Sequence, residues 1–314
     1  MAERVDEVLR SGVAPGFHGL VVMRAGEVVI ERYGAGPDHR LGEPLGHVEF
    51  GRDTLHDLRS VTKSVVGLLY GIALGQGLVP EPGAGLVGQF PEYQDLVGDA
   101  GRAHLTVEHA LTMTLGLEWD ESAPYTSPAN SEIAMEMAPD RHRYVLERPV
   151  VEEAGRRWHY CGGASALLGG IIARGAGRRL EEYADDVLFR PLGIGSFEWV
   201  TGGHGLASAA AGLRLRPIDL AAVGQLVLDG GRDIVPGAWL REALRPHVAI
   251  ADGWEYGYQW YLGTGERRSV EGIGNGGQRL FVAPEEGLVV AVTAGDYDMG
   301  ADSATAVLDA VVGR

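Results

Sequence analysis

The sequence predicts an α+β fold: one antiparallel sheet completed by both ends of the chain, flanked by helices, with a mainly helical region inserted between its two halves. Two observations carry this expectation. Short β-rich runs occur near the start and again in the last third, while the middle reads as successive helices. The strict strand–helix alternation that a doubly wound parallel sheet requires is not seen. One domain over residues 1–314 accommodates the pattern, with the sheet region at about 1–54 and 200–314 and the helical region at about 55–199.

The elements follow in chain order. Residues 19–23 and 28–32 are β-rich and flank Ala25-Gly26-Glu27, which predicts a hairpin. Residues 34–52 are rich in Gly, Pro and His and read as loop. Residues 60–77 carry apolar side chains at 61, 65, 66, 68, 69, 72 and 74, a crowding that predicts a buried helix closed by Gly75 or Gly77. Thr106 is a suitable N-cap for a helix over 106–113, with Glu108 and His109 in its first turn. Residues 115–140, with Trp119, Tyr125, Pro128 and Pro139, read as a long surface loop. Residues 164–174 and 180–189 read as helices, the second stopped by Arg190-Pro191-Leu192-Gly193. Residues 256–262, 278–283 and 288–294 are candidate strands, with Pro284-Glu285-Glu286-Gly287 turning between the last two. Residues 304–312 read as a terminal helix.

Composition narrows the function. The formal net charge of −16 argues against a nucleic-acid partner, which selects a basic face, and against an anionic membrane surface. No apolar run reaches the roughly 18 residues that a membrane-spanning helix needs. The first ten residues are charged and lack the apolar stretch of a secretory signal, and a single cysteine excludes an intrachain disulfide. The expectation is a soluble cytoplasmic protein. The ten histidines form no His-x-x-x-His pair and no Cys/His cluster, so neither a metal nor another cofactor is expected. No Gly-x-Gly-x-x-Gly is placed between a strand and a helix, no Walker loop is present, and the Gly-x-Ser-x-Gly elbow is missing.

The cationic residues single out one position. Of the 27 Lys and Arg, 26 are Arg, and the one lysine is Lys63. It lies in Arg59-Ser60-Val61-Thr62-Lys63-Ser64, at the start of the most apolar predicted helix. A spacing of three residues places the Ser60 hydroxyl and the Lys63 amine on one helix face. Free backbone N–H groups at a helix start can stabilise an oxyanion. A lysine buried there is desolvated, so its pKa is expected to fall and its amine to act as a base toward Ser60. On that expectation Lys63 is uncharged at neutral pH. A solvated lysine beside an unrelated serine is the bland alternative, but Ser64-Val65-Val66-Gly67-Leu68-Leu69 is poor company for it.

Ser-x-x-Lys is the first signature of the penicillin-recognising serine hydrolases. The segment His56-Asp57-Leu58-Arg59-Ser60-Val61-Thr62-Lys63-Ser64 resembles its version in class C β-lactamase-like esterases and in the aminohexanoate-dimer (nylon-oligomer) hydrolases. Further similar stretches lie at 111–119 (Leu-Thr-Met-Thr-Leu-Gly-Leu-Glu-Trp), 188–194 (Leu-Phe-Arg-Pro-Leu-Gly-Ile) and 274–278 (Gly-Asn-Gly-Gly-Gln). Each is weak alone; their order and spacing, over roughly residues 17–300, make the resemblance strong.

The resemblance implies a β-lactamase/transpeptidase-like fold and a set of roles. The second family motif, Tyr-x-Asn, corresponds to Tyr160-Cys161-Gly162. Tyr160 would then be the second base and the proton donor to the leaving group, its phenol acidified by Lys63. Gly162 replaces the Asn, which puts β-lactam hydrolysis in doubt more than catalysis. The third motif corresponds to Gly272-Ile273-Gly274 before Asn275, or in another register to Gly274-Asn275-Gly276. Neither register begins with a cation. The Asn275 N–H would pair with that of Ser60 as an oxyanion hole, with Gly274 beside it. Tyr125 corresponds to a substrate-contacting loop tyrosine of the nylon-oligomer hydrolases.

Other candidates are weaker. Trp119, Trp158, Trp254 and Trp260 are candidates for an apolar pocket wall or for ordinary core. Cys161 reads as a small buried hydrophobe, with no helix start or cation to favour a thiolate. The expected function is a serine hydrolase that cleaves small carboxylic esters or amides through an acyl-enzyme on Ser60, with Lys63 and Tyr160 as general acid–base. The alternatives are a catalytically weakened binding protein on the same scaffold, or a residual β-lactamase or D-amino-acid peptidase. The expected partner is a small-molecule substrate, and the chain is expected to be a monomer or homodimer.

Overall fold

A computed structural model describes residues 1–202, 205–251, 253–265, 267–297 and 302–313. The chain opens with helix α1 (Ala2–Ser11), then strands β1 (Phe17–Arg24) and β2 (Glu27–Tyr33), the predicted hairpin. Strands β3 (Ala35–Arg40) and β4 (Glu43–Glu49) follow, then the short β5 (His56–Asp57) and the central helix α2 (Val61–Gly75). The inserted region carries α3 (Gln94–Val97), α4 (Val107–Leu111), α5 (Ser131–Met137), α6 (Arg141–Leu146), α7 (Gly162–Ala176) and α8 (Leu180–Ala184). After it come β6 (Glu198–Trp199), β7 (Leu213–Leu215), α9 (Pro217–Leu228) and α10 (Gly237–Ala243). The chain finishes with β8 (Val248–Ala249), β9 (Trp254–Tyr256), β10 (Tyr261–Gly263), β11 (Ser269–Gly274), β12 (Gln278–Ala283), β13 (Leu288–Ala294) and α11 (Ser303–Val312).

The main sheet has the order β2-β1-β13-β12-β11-β10-β9-β8. Its neighbours run antiparallel, and the first strand pairs with the last, Leu20 opposite Val292 and Val22 opposite Val290. Both faces are covered, which is why β13 reads as an unbroken apolar run instead of an alternating one. Leu20, Val22, Val290 and Val292 pack with Val5 of α1 and Val307 and Val311 of α11. Val21, Leu280, Val282, Val289 and Ala291 pack on the other side, with α2 and α9. No helix among the described residues is long and apolar enough to cross a membrane.

The structure corrects several sequence expectations. Residues 34–52 contain the β3–β4 hairpin, whose Gly, Pro and His content hid its pairing. Residues 256–262 are two antiparallel strands, β9 and β10, with a turn at Gln259 (φ +66°) between them. Residues 115–140 hold α5 and are partly buried, with Trp119, Asn130 and Glu132 all inside.

Helix α2 is the axis of the molecule. Residues 61–73 are all buried, so the crowding of apolar side chains reflects burial on every side. Its polar side chains find partners there: Ser64 Oγ donates to the Gln259 carbonyl at 2.8 Å, and Thr62 Oγ1 accepts the Leu213 N–H at 3.2 Å. These bonds tie the helix to the β9–β10 turn on one side and to β7 on the other, and fix how its N-terminus is presented.

Candidate active site

Ser60 is the N-cap of α2, and the residue before it, Arg59, has φ +48°. A left-handed conformation is costly for a side chain with a Cβ and persists only where surrounding contacts hold it. Arg59 has such contacts. Its Nη2 donates to the Leu41 carbonyl at 2.6 Å, its Nε lies 3.2 Å from the Asp57 carboxylate, and its guanidinium stacks 4.4 Å from the Tyr297 ring centre. Asp57 in turn accepts the Leu41 N–H at 2.6 Å and the Arg214 guanidinium at 2.6 Å. The β3–β4 turn at Leu41 is thereby fastened to the residue that aims Ser60.

One turn into α2, Lys63 is 2% exposed. Its Nζ donates to Ser60 Oγ at 3.0 Å, to the Ala210 carbonyl at 2.8 Å and to Glu132 Oε2 at 3.3 Å. Three acceptors satisfy the three donors of an ammonium. Burial lowers the lysine pKa, but the Glu132 and Glu121 carboxylates and Tyr125 raise it further than burial lowers it. The expectation of a neutral amine is therefore overturned: the resting lysine is held charged by an acidic partner.

That partner is Glu132, 4% exposed, at the start of α5. The buried Asn130 caps this helix, its side-chain oxygen accepting the N–H of Glu132 at 2.9 Å and of Ile133 at 3.4 Å. Burial first of all, opposed by Lys63, pushes the Glu132 carboxyl up to about 7, with Glu121 and Glu136 adding to the rise.

Tyr160 precedes α7, and the neighbouring Ser60 hydroxyl acts to lower its pKa. The Lys63 Nζ lies 4.9 Å from its ring centre. Burial, with Glu121, Tyr261 and Glu132 nearby, holds the phenol well above its ordinary pKa. The acidified phenol expected from the sequence is not what the site holds; the resting hydroxyl keeps its proton.

Glycines let β11 approach Ser60 and α2. A Cβ on Gly272 would press on Val61 and Ser64, and one on Gly274 would meet the Leu58 carbonyl at 2.5 Å. Strand β10 pairs with β11 only from Ser269 to Glu271, so residues 272–274 keep the edge on that side unpaired by β10. Just beyond, Asn275 lines a cleft of about 150 Å³ together with Ser60, Arg59, Tyr125, Glu132 and Leu41.

A sequence model of the family described as Beta-lactamase matches residues 1–313. The chain belongs to the β-lactamase family. It is 26% identical over 299 residues to the 6-aminohexanoate-dimer hydrolase of Paenarthrobacter ureafaciens, covering 86% of this chain and 70% of that one. It is also 27% identical over 184 residues to the esterase EstB of Burkholderia gladioli, covering 55% of this chain but only 44% of EstB. Among solved structures, EstCE1, described as a hydrolase with promiscuous acyltransferase activity, superposes with a TM-score of 0.80 at 18% identity, covering 99% of this chain and 98% of its own. This β-lactamase-family protein is a hydrolase with the fold that the sequence resemblance implied.

In this family member the predicted residues Ser60, Lys63 and Tyr160 converge, although they come from two helix starts a hundred residues apart. Tyr125 and Asn275 line the Ser60 cleft. The Tyr125 hydroxyl donates to Glu121 Oε2 at 2.8 Å. Gly162 begins α7, and its N–H donates to Glu121 Oε1 at 2.6 Å. A Cβ on Gly162 would overlap the Glu132 carboxylate. Trp119 donates to Glu121, Trp158 packs on Tyr160, Tyr256 and Tyr261, Trp254 packs on Tyr261, and Trp260 is core. Cys161, contrary to expectation, does stand at a helix start, yet burial pushes its thiol pKa up and keeps it protonated.

The sequence reading missed Glu121 and Glu132. Both lie in the stretch taken for surface loop. Asn130 ahead of Ser131 and Glu132 is an N-cap pattern that would have revealed α5.

Proposed function

We propose that the chain hydrolyses small carboxylic esters or amides through an acyl-enzyme on Ser60. One observation carries this reading: the Ser60 hydroxyl, which lines a cleft, lies 3.0 Å from the Lys63 amine, and the Tyr160 ring lies beside that amine. Ser60 attacks the substrate carbonyl. Tyr160, still protonated at rest, donates to the leaving group. The N–H groups of Ser60 and Asn275 hold the oxyanion, and water then releases the acid. The small cleft favours a short acyl group. The names of the two relatives, an esterase and a 6-aminohexanoate-dimer hydrolase, support the substrate class.

A weakened binding protein on the same scaffold fits less well. Such a protein would not need to keep a buried lysine–carboxylate pair beside a serine, because taking two charges out of water is costly even when they are paired. The mutual contacts of Ser60, Lys63 and Tyr160 support catalysis instead.

The test is labelling by a fluorophosphonate, read by intact mass, with turnover of p-nitrophenyl esters of short acids. We expect one adduct on Ser60, absent in Ser60→Ala and Lys63→Ala. Lys63→Arg is expected to fail as well, because a guanidinium does not surrender its proton. A wild-type chain that neither labels nor turns over esters and amides refutes the reading.

A further inference from the structure

We infer that Glu132 is the proton partner of Lys63: it takes the lysine's surplus proton so that the amine can accept the one on Ser60. The inference rests on the acyl-enzyme reading above and deepens it. Geometry carries it. Lys63 has all three donors occupied, so as an ammonium it has no lone pair for the serine proton. Of its three acceptors, a carbonyl and a hydroxyl are poor proton holders; only the Glu132 carboxylate can receive a proton and keep it.

The groups facing Glu132 leave that role to it alone. From α2 comes Lys63. From the stretch before α5 come Glu121 and Tyr125. Glu121 is held by three donors: Trp119 Nε1 at 2.6 Å, the Tyr125 hydroxyl at 2.8 Å and the Gly162 N–H at 2.6 Å. On α5 itself, Glu136 is paired with Arg141 at 2.7 Å and accepts from Ser208 at 2.8 Å. From the start of α7 comes Tyr160, protonated. Burial also holds the Glu132 carboxyl at about 7, close enough to neutrality to exchange a proton with its neighbour.

The proton count closes. The resting pair is ammonium and carboxylate. One proton moves from Lys63 Nζ to Glu132 Oε2, leaving an amine and a carboxylic acid. As Ser60 Oγ bonds to the carbonyl carbon, its proton passes to the amine, and the carbonyl electron pair moves to the oxyanion. The ammonium then passes a proton through the Tyr160 hydroxyl to the leaving group as the old bond breaks. The pair ends with the one shared proton it began with, and the serine proton has left with the product.

The experiment measures the rate of Ser60 labelling by a fluorophosphonate against pH in wild type, Glu132→Gln and Glu132→Asp, each checked for folding by its thermal melt. Wild type is expected to lose rate as pH falls through about 7, because a protonated Glu132 has no room for the lysine proton. Glu132→Gln keeps the volume and an acceptor for the lysine N–H, so a purely structural role leaves rate and pH limb intact. We expect instead a loss of about 100-fold or more and disappearance of that limb, with partial recovery and a shifted limb in Glu132→Asp. Glu132→Gln labelling within about threefold of wild type with the same limb overturns the inference and leaves the serine-hydrolase reading standing. If Glu132→Gln does not fold, wild type decides: a labelling rate flat between about pH 5 and 8 overturns it, and a limb that Glu132→Asp shifts supports it. A wild type that never labels removes both.

Discussion

Gly162 leaves empty the space that the Glu132 carboxylate fills. Any Cβ at 162 would overlap that carboxylate, so the two identities depend on each other although thirty residues separate them. The resemblance places an asparagine at 162, where its amide would reach toward the lysine. Here a carboxylate from another helix reaches the lysine instead.

It follows that Gly162→Asn alone should be severely disabling, with turnover falling by about 100-fold or more, because the new side chain drives Glu132 off Lys63. The double variant Gly162→Asn/Glu132→Asp shortens the acid to make room for the new side chain and keeps a carboxylate beside Lys63. It should recover part of the loss. Steady-state hydrolysis of a p-nitrophenyl ester reads this directly, and a double variant no better than Gly162→Asn speaks against the steric coupling.

Tyr160→Phe should discriminate between leaving groups. A p-nitrophenolate departs without a proton, whereas an amine must be protonated as it leaves. With the same acyl group, the loss in kcat should be near the low end of about 10²- to 10⁴-fold for the ester and near the high end for the amide. Equal losses on both would place Tyr160 elsewhere in the reaction.

Arg59 carries backbone strain as well as contacts. Arg59→Ala removes the contacts to Leu41, Asp57 and Tyr297 and keeps a Cβ at φ +48°. Arg59→Gly removes the same contacts and relieves the strain. Urea unfolding should therefore find the glycine variant more stable than the alanine variant by about 1 kcal/mol. The reverse order would mean that the backbone at 59 is not strained in solution.

The buried pair His18–His56 predicts a stability that depends on pH. His18 Nδ1 and His56 Nε2 are 2.8 Å apart, so one ring must donate and the other accept. Burial, with the mutual repulsion of the two rings acting on His18, lowers the pKa of each from 6.5 to about 3. Below 6.5 the unfolded chain takes up protons that the folded chain refuses. The stability contribution is complete above 6.5 and is lost as pH falls toward 3, by up to roughly 1.4 kcal/mol per pH unit for each proton. His142 and His109 act in the same sense. His18→Gln removes one of these protons and should flatten the slope between about pH 5 and 6.5, as read from denaturant midpoints. An unchanged slope would show that His18 is not kept neutral by the fold.

What could be read from the sequence was what lies close together along it. Ser60 and Lys63 are one helical turn apart, and the apolar run behind them announces a buried helix, so their contact was visible before any fold. Glu132 was not, because it meets Lys63 across 69 residues of chain and sits in a stretch whose prolines and serines look exposed. The two protonation states were misjudged for the same reason: burial was legible, and the carboxylates that oppose it were not. Strands β3 and β4 were hidden because their pairing faces a hairpin partner and solvent, leaving little apolar alternation to see. Helix α9 was missed despite Pro217 at its first turn, since it is buried nearly all round and shows no stripe.

The pairing of β1 with β13 has a consequence for how the molecule is made. The strand at residues 17–24 leaves the ribosome long before its partner at 288–294. Until then β1 has β2 on one side and an open edge on the other, and the β11 backbone that closes on Ser60 has only just been synthesised. Contacts of such long sequence separation form slowly. A growing chain therefore carries Ser60 through a long stretch of synthesis without β11, and the cleft around Ser60 is completed only after that strand has emerged.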